Sequence, residues 1–141
     1  MLKIATIDDL SLVLDLSMKF ANAIPYKDYI DEEVVKATLT DILTGDKDRK
    51  ICLLYGEVGF ITGVAAPFMF GTDLLATELA WWVEPEYRSK KVGLELLEAF
   101  EFWARKIGCK LISMACLDEK VAALYESKGY TLYERAYLKE I

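Results

Sequence analysis

Glu78-Leu-Ala-Trp-Trp-Val83-Glu-Pro85-Glu-Tyr87-Arg88-Ser89-Lys90-Lys91-Val92-Gly93 is the stretch from which the fold is read. It opens inside an apolar run, Leu74 to Val83, in which Glu78 is the only ionisable residue. A run apolar on both faces predicts a central, covered strand. Pro85 ends it, because proline offers no N–H to a ladder. A basic turn, Arg88 to Lys91, follows. Val92, Leu96, Ala99, Phe100, Trp103 and Ile107 then recur at spacings of three and four, which predicts an amphipathic helix with Glu95, Glu98 and Glu101 on its other side and Gly108 as its stop. Lys110 to Cys116 reads as a second buried strand. Strand, turn, helix and strand form a crossover, so the two strands run parallel.

Toward the N-terminus, Leu2 to Ala5 reads as a short strand. Thr6 with Asp9 makes a capping box for a helix over about Ile7 to Asn22, and Pro25 closes that segment. Asp31 caps a second helix with Val35, Leu39 and Ile42 on one face, stopped by Gly45. Ile51 to Tyr55 and Val58 to Ala66, joined at Gly56-Glu57, predict a hairpin. Toward the C-terminus, Asp118 opens a short helix that runs to Lys128 and ends at Gly129. Tyr130 to Lys139 supplies one or two closing strands. The order β, α, α, β, β, β, α, β, α, β over residues 1–141 is that of one mixed α/β domain, without repeats or linkers.

Composition narrows the chemistry. The 141 residues are 54% hydrophobic and carry a formal net charge of −6, a balance that argues against nucleic acid or an anionic membrane surface as partner and suits a cationic one. There is no histidine. A Ser-His-Asp or Cys-His nucleophile and a His-ligated metal are therefore impossible within this chain, and no metal is expected. Cys52, Cys109 and Cys116 lack CxxC spacing and read as reduced, buried thiols of a reducing compartment. The first residues do not resemble a signal peptide, and the longest uncharged run, Val58 to Thr72, is too short to span a bilayer. A cytoplasmic location is the expectation.

The basic turn feeds a helix N-terminus, where first-turn N–H groups lack partners and the helix dipole adds partial positive charge. Arg88, Lys90 and Lys91 add full charges. An anion site and an incidentally charged, solvated turn are both compatible with the turn alone. It is neither a Walker A loop nor a dinucleotide GxGxxG.

Two motifs together go further. Val83, Pro85, Tyr87, Arg88 and Gly93 match the acetyl-CoA-binding pattern of the GNAT superfamily of N-acetyltransferases, a strand ending Val-x-Pro followed by Tyr-Arg/Gln-x-x-Gly-x-Gly/Ala and a long helix. Ala123-Leu-Tyr125-Glu-Ser-Lys-Gly129-Tyr130 resembles its second signature. The resemblance implies the GNAT fold: a mostly antiparallel central sheet with one splayed parallel strand pair and helices on both faces. It implies acetyl-CoA as co-substrate, with the pyrophosphate held by Arg88, Ser89, Lys90, Lys91, Val92 and Gly93, and an amine acceptor in a pocket formed with the first two helices. It also implies an oxyanion donor at the backbone N–H near Val83, at a bulge, and admits a homodimer. One departure stands in the loop, where Lys91 replaces the family's first glycine. If its φ is negative its N–H remains available, and its ammonium can pair with phosphate; the alternative is that its side chain crowds the loop.

Acyl transfer to an amine needs a base for nitrogen, an acid for the departing sulfur and a donor for the oxyanion. By the resemblance, Tyr125 is the acid. Its alternative is packing at a helix end. Glu78 is the candidate base, because burial raises a carboxyl toward the useful range. Its alternatives are a structural ion pair or an outward position at a strand edge. Trp81 and Trp82 put one indole on each face of their strand, one in the core and one beside the pantetheine arm or acceptor. Asp28, Asp31, Glu32 and Glu33 are candidates for steering a cationic amine, or else cap and solubilise the second helix. The main expectation is acetyl transfer from acetyl-CoA to a primary amine. The rivals are a catalytically inactive acyl-CoA-binding or interaction module, and a flavodoxin-like module whose resemblance is accidental.

Overall fold

The computed structural model describes residues 1–25 and 27–141. One five-stranded sheet has the order β1-β2-β3-β4-β5, formed by β1 (Leu2–Ile4), β2 (Lys50–Tyr55), β3 (Gly59–Pro67), β4 (Leu74–Val83) and β5 (Cys109–Ser113). The first four strands pair antiparallel and β4 pairs β5 parallel. The helices are α1 (Leu10–Asn22), α2 (Glu32–Thr44), α3 (Val92–Lys106) and α4 (Glu119–Ser127).

Local chemistry sets the boundaries. Thr6 N–H donates to the Asp9 carboxylate at 2.9 Å, and a 3-10 turn at Ile7–Asp9 leads into α1. Asp31 caps α2 by accepting from the N–H groups of Glu33 and Val34. Asp118 caps α4 through Lys120 N–H at 2.7 Å.

Alternation in β2 divides the core in two. Ile51 and Leu53 face α3, where Leu96, Phe100, Trp103 and Ala104 cover them. Cys52 and Leu54 face α1 and α2, packed with Val13, Leu16, Leu39, Ile42 and Phe60. Helices thus cover both faces. Apolar burial is worth roughly 25 cal/mol per Å2, so these two layers are the main stabilising term of the fold.

Four expectations need correction. Residues 130–141 form no strand, and all but Tyr130 are exposed. Their apolar residues come as adjacent pairs, Leu132-Tyr133 and Tyr137-Leu138, so a strand would turn one of each pair to water. In consequence β5 is an outer strand, with Lys110 and Leu111 exposed, rather than a buried one. Glu101, placed by periodicity on the solvent side of α3, is 7% exposed, because the turn after α4 folds over it. Tyr130 OH donates to Glu101 Oε2 at 2.8 Å, and Lys128 Nζ lies 3.7 Å from Oε1. Of the thiols only Cys52 is buried; Cys109 is half-buried and Cys116 exposed.

Candidate active site

The site is built where β4 and β5 part. Their ladder runs from Leu74↔Cys109 to Thr77↔Ser113 and stops, while β4 continues to Val83. In the β3–β4 ladder, Thr62 opposes Ala80 and Gly63 opposes Glu78, which leaves Leu79 as an extra residue in a bulge. Gly63 is required there. A Cβ on it would stand 2.5 Å from Phe100 Cε1 and 2.6 Å from the Thr77 carbonyl oxygen. Glu84 N–H donates to Val58 C=O at 2.7 Å. Neighbouring N–H groups alternate along a strand, so the Val83 N–H points away from β3, to the side that β5 has left.

Glu78 and Tyr125 meet at the backbone of one residue, Ala115. Ala115 N–H donates to Glu78 Oε1 at 3.4 Å, and Tyr125 OH donates to Ala115 C=O at 3.2 Å. Among the described residues Glu78 makes no ion pair, and it points to Ala115 on the β5 side rather than out at an edge. Burial pushes its carboxyl from 4.5 up to about 7, with the Ala115 N–H pulling the other way. Tyr125 is 7% exposed. Burial first, and then the Glu78 charge, hold its phenol above the ordinary value, so it keeps its proton. Its ring stacks on Trp81 at 6.1 Å between centroids and tilts against Tyr130 at 5.4 Å.

The basic turn lies at the open end of the gap. Arg88, Ser89, Lys90 and Lys91 are exposed, Val92 is buried and Gly93 half-buried. The first intrahelical bond of α3 runs from Glu95 N–H to Lys91 C=O. The N–H groups of Val92, Gly93 and Leu94 thus precede the ladder and face outward. A Cβ on Gly93 would stand 3.4 Å from Trp81 Cζ2, so glycine keeps a shallow cradle open beside the indole. Arg88 is not a free cation. Its Nε donates to Val83 C=O at 2.8 Å and its guanidinium lies 4.6 Å from the Trp82 ring centroid. Lys91 has φ 65° and ψ 1°. The condition of a negative φ is not met: the turn keeps the left-handed bend that a glycine would adopt freely, and a lysine bears it.

On the other face a cavity of about 400 Å3 lies between α1, α2 and the bulged part of the sheet, with Leu79 in its wall. Asp31 also lines it, but its carboxylate is taken by the α2 cap. Asp28, Glu32 and Glu33 are exposed. Sequence reasoning missed the shared residue Ala115 and the buried Glu101. The isolated acid in β4, the paired tryptophans, the basic turn and the motif around Tyr125 signalled the site. Among the described residues no group of three or more His, Cys, Asp or Glu could hold a metal ion, and no helix is long and apolar enough to cross a membrane.

The sequence matches the family described as acetyltransferase (GNAT) domain over residues 47–132. No curated protein matches it. Similar solved structures include an acetyltransferase of Trypanosoma brucei, 22% identical, with 100% of this chain and 99% of that one covered and a TM-score of 0.74. An aminoglycoside 6'-N-acetyltransferase of Acinetobacter haemolyticus is 20% identical, with 100% and 99% covered and a TM-score of 0.74. An aminoglycoside N-acetyltransferase in complex with CoA is 16% identical, with 100% and 93% covered and a TM-score of 0.76. These likenesses carry the fold.

Proposed function

The chain belongs to the GNAT acetyltransferase family, and on that premise we propose that it moves an acetyl group from acetyl-CoA to a primary amine by direct transfer. The observation that carries this reading is the meeting of a half-buried carboxyl raised to about 7 and a protonated phenol at Ala115, in the gap between two parting strands.

Acetyl-CoA supplies the activated acyl carbon and a thiolate leaving group. The residues fit it. The outward N–H groups of Val92 to Leu94, the cradle at Gly93 and the cations Lys90 and Lys91 suit a pyrophosphate. The Val83 N–H is placed to hold a carbonyl oxygen. Ionised Glu78 takes the proton that the amine nitrogen sheds as the C–N bond forms. Tyr125 gives its proton to sulfur as the C–S bond breaks, and solvent returns a proton from one residue to the other. Burial lifts the phenol, and the same burial lifts the proton affinity of a thiolate beside it, so the transfer stays matched. Glu78 must be ionised, so kcat/KM rises with pH through about 7.

The test is calorimetric titration of acetyl-CoA, with ATP as control, followed by a thiol-release assay over primary amines. Saturable binding with amine-dependent thiol release is the expected result. Binding without turnover points to an acyl-CoA-binding module, and no binding refutes the reading. A homodimer is part of the proposal. The outer strand β5 exposes Leu111, and the segment after α4 exposes Leu132, Tyr133 and Tyr137. Sedimentation equilibrium reads it.

A further inference from the structure

We infer that the accepted amine is a monoamine on an apolar body, an alkyl chain or an aromatic ring, seated in the cavity between α1, α2 and the bulge of β4. The inference rests on the acyl-transfer reading above and names its substrate class. The cavity measures about 400 Å3, within the roughly 300–1,000 Å3 of small-molecule sites. Phe20, Val35, Leu39 and Leu79 line it, and among the described residues Asp31 is the only charged group in its wall. That carboxylate already accepts two N–H groups at the start of α2. A polyamine or an amino sugar entering here would leave water and find few partners for its ammonium and hydroxyl groups. An apolar body gains instead, about fourfold in affinity per buried methylene.

Ser17 marks the cavity as a ligand site. It is 7% exposed, it lines the cavity, and among the described residues its hydroxyl has no hydrogen-bond partner. A helical serine usually turns its hydroxyl to the carbonyl four residues back; this one offers both donor and acceptor to a polar substituent on the amine's body. The cavity wall and the reaction site share strand β4. Leu79, displaced into the bulge and 46% exposed, directly follows Glu78 in the chain. Outside, Asp28, Glu32 and Glu33 are exposed around the start of α2 and attract the ammonium end at encounter. An acidic rim over an apolar interior suits an amphipathic amine.

The experiment measures thiol release from acetyl-CoA with ethylamine, hexylamine, 2-phenylethylamine, tyramine, spermidine and kanamycin, and separately the binding of hexylamine without acetyl-CoA by protein-observed NMR. Hexylamine should exceed ethylamine in kcat/KM by about 250-fold, from four methylenes at about fourfold each, and should exceed spermidine and kanamycin. Thr38→Trp, at an exposed position of the cavity wall, should raise the hexylamine KM at least tenfold. Ser17→Ala should raise Tm and reduce the advantage of tyramine over 2-phenylethylamine. Equal or better turnover of spermidine or kanamycin overturns the inference, as does a hexylamine KM unmoved by Thr38→Trp. An unchanged tyramine advantage detaches Ser17 from the ligand and removes that contact. If acetyl-CoA does not bind, the acyl-transfer reading fails instead, and the NMR titration still decides the cavity: no hexylamine binding at 10 mM, on the order of the weakest useful affinity, overturns it.

Discussion

Replacing Glu78 with glutamine isolates one buried acid. Glutamine keeps the shape and can still accept from Ala115 N–H, so the packing survives while the charge goes. In the native protein the carboxyl titrates near 7, against 4.5 when unburied. Between those values the folded chain holds a proton that the unfolded chain has released. Stability from this group is therefore fully present below about 4.5 and is lost as pH rises through about 7. At about 1.4 kcal/mol for each pH unit between the two, the loss is about 3 kcal/mol at pH 8, an upper figure because the site can relax. Glu78→Gln does not suffer it. The difference in unfolding free energy between variant and wild type should grow from near zero at pH 4.5 to its full value by pH 8, with the variant the more stable. Urea unfolding of both proteins at half-unit steps from pH 4.5 to 8 reads it directly. Every other carboxylate is common to the pair and cancels. A difference that stays flat across this range would show that Glu78 is solvated in solution, and the argument for it as a tuned base would fall with it.

Other perturbations probe the remaining links. Gly63→Ala drives a methyl into Phe100 and the Thr77 carbonyl and should destabilise by about 1–3 kcal/mol, read as a lower urea midpoint. Lys91→Gly relieves a left-handed lysine, worth about 1–2 kcal/mol, against about 0.5–1 for the extra freedom of unfolded glycine; a small rise in Tm, on the order of 2 °C, is expected by calorimetry. Tyr125→Phe should lower kcat by about 100-fold while calorimetry shows acetyl-CoA affinity unchanged. The limb of wild-type kcat/KM through about 7 should vanish in Glu78→Gln, read by thiol release across pH 6–9.

Much of the fold was legible because its signals are local. The capping aspartates Asp31 and Asp118, the stop at Gly108 and the three-and-four spacing of α3 each act within a turn or two of chain. The same holds for the strand ending at Pro85. Glu101 shows where periodicity ends: its spacing places it beside Glu98, yet it is buried because Tyr130, 29 residues on, reaches back to it. The C-terminal segment shows the converse. Its residues have strand-like character and Tyr133 reaches Ser113 of β5 through its hydroxyl, but the apolar residues come as adjacent pairs, which a strand would split between opposite faces.

The candidate site divides in the same way. The sequence by itself determined which groups are available: no histidine, one acid in an apolar strand, a tyrosine in a helix ahead of Gly129, and a basic turn ahead of a long helix. Those are properties of residue type and spacing. Only the tertiary structure decided that Glu78 and Tyr125 converge on the backbone of Ala115, that Leu79 leaves the ladder, that Lys91 takes a positive φ, and that Ser17 faces a cavity without a hydrogen-bond partner among the described residues. The reason is physical. A carboxyl's proton affinity depends on how much water the whole fold removes from it, and a bulge depends on the register of the neighbouring strand. Neither quantity is carried by the residue or by those next to it in the chain.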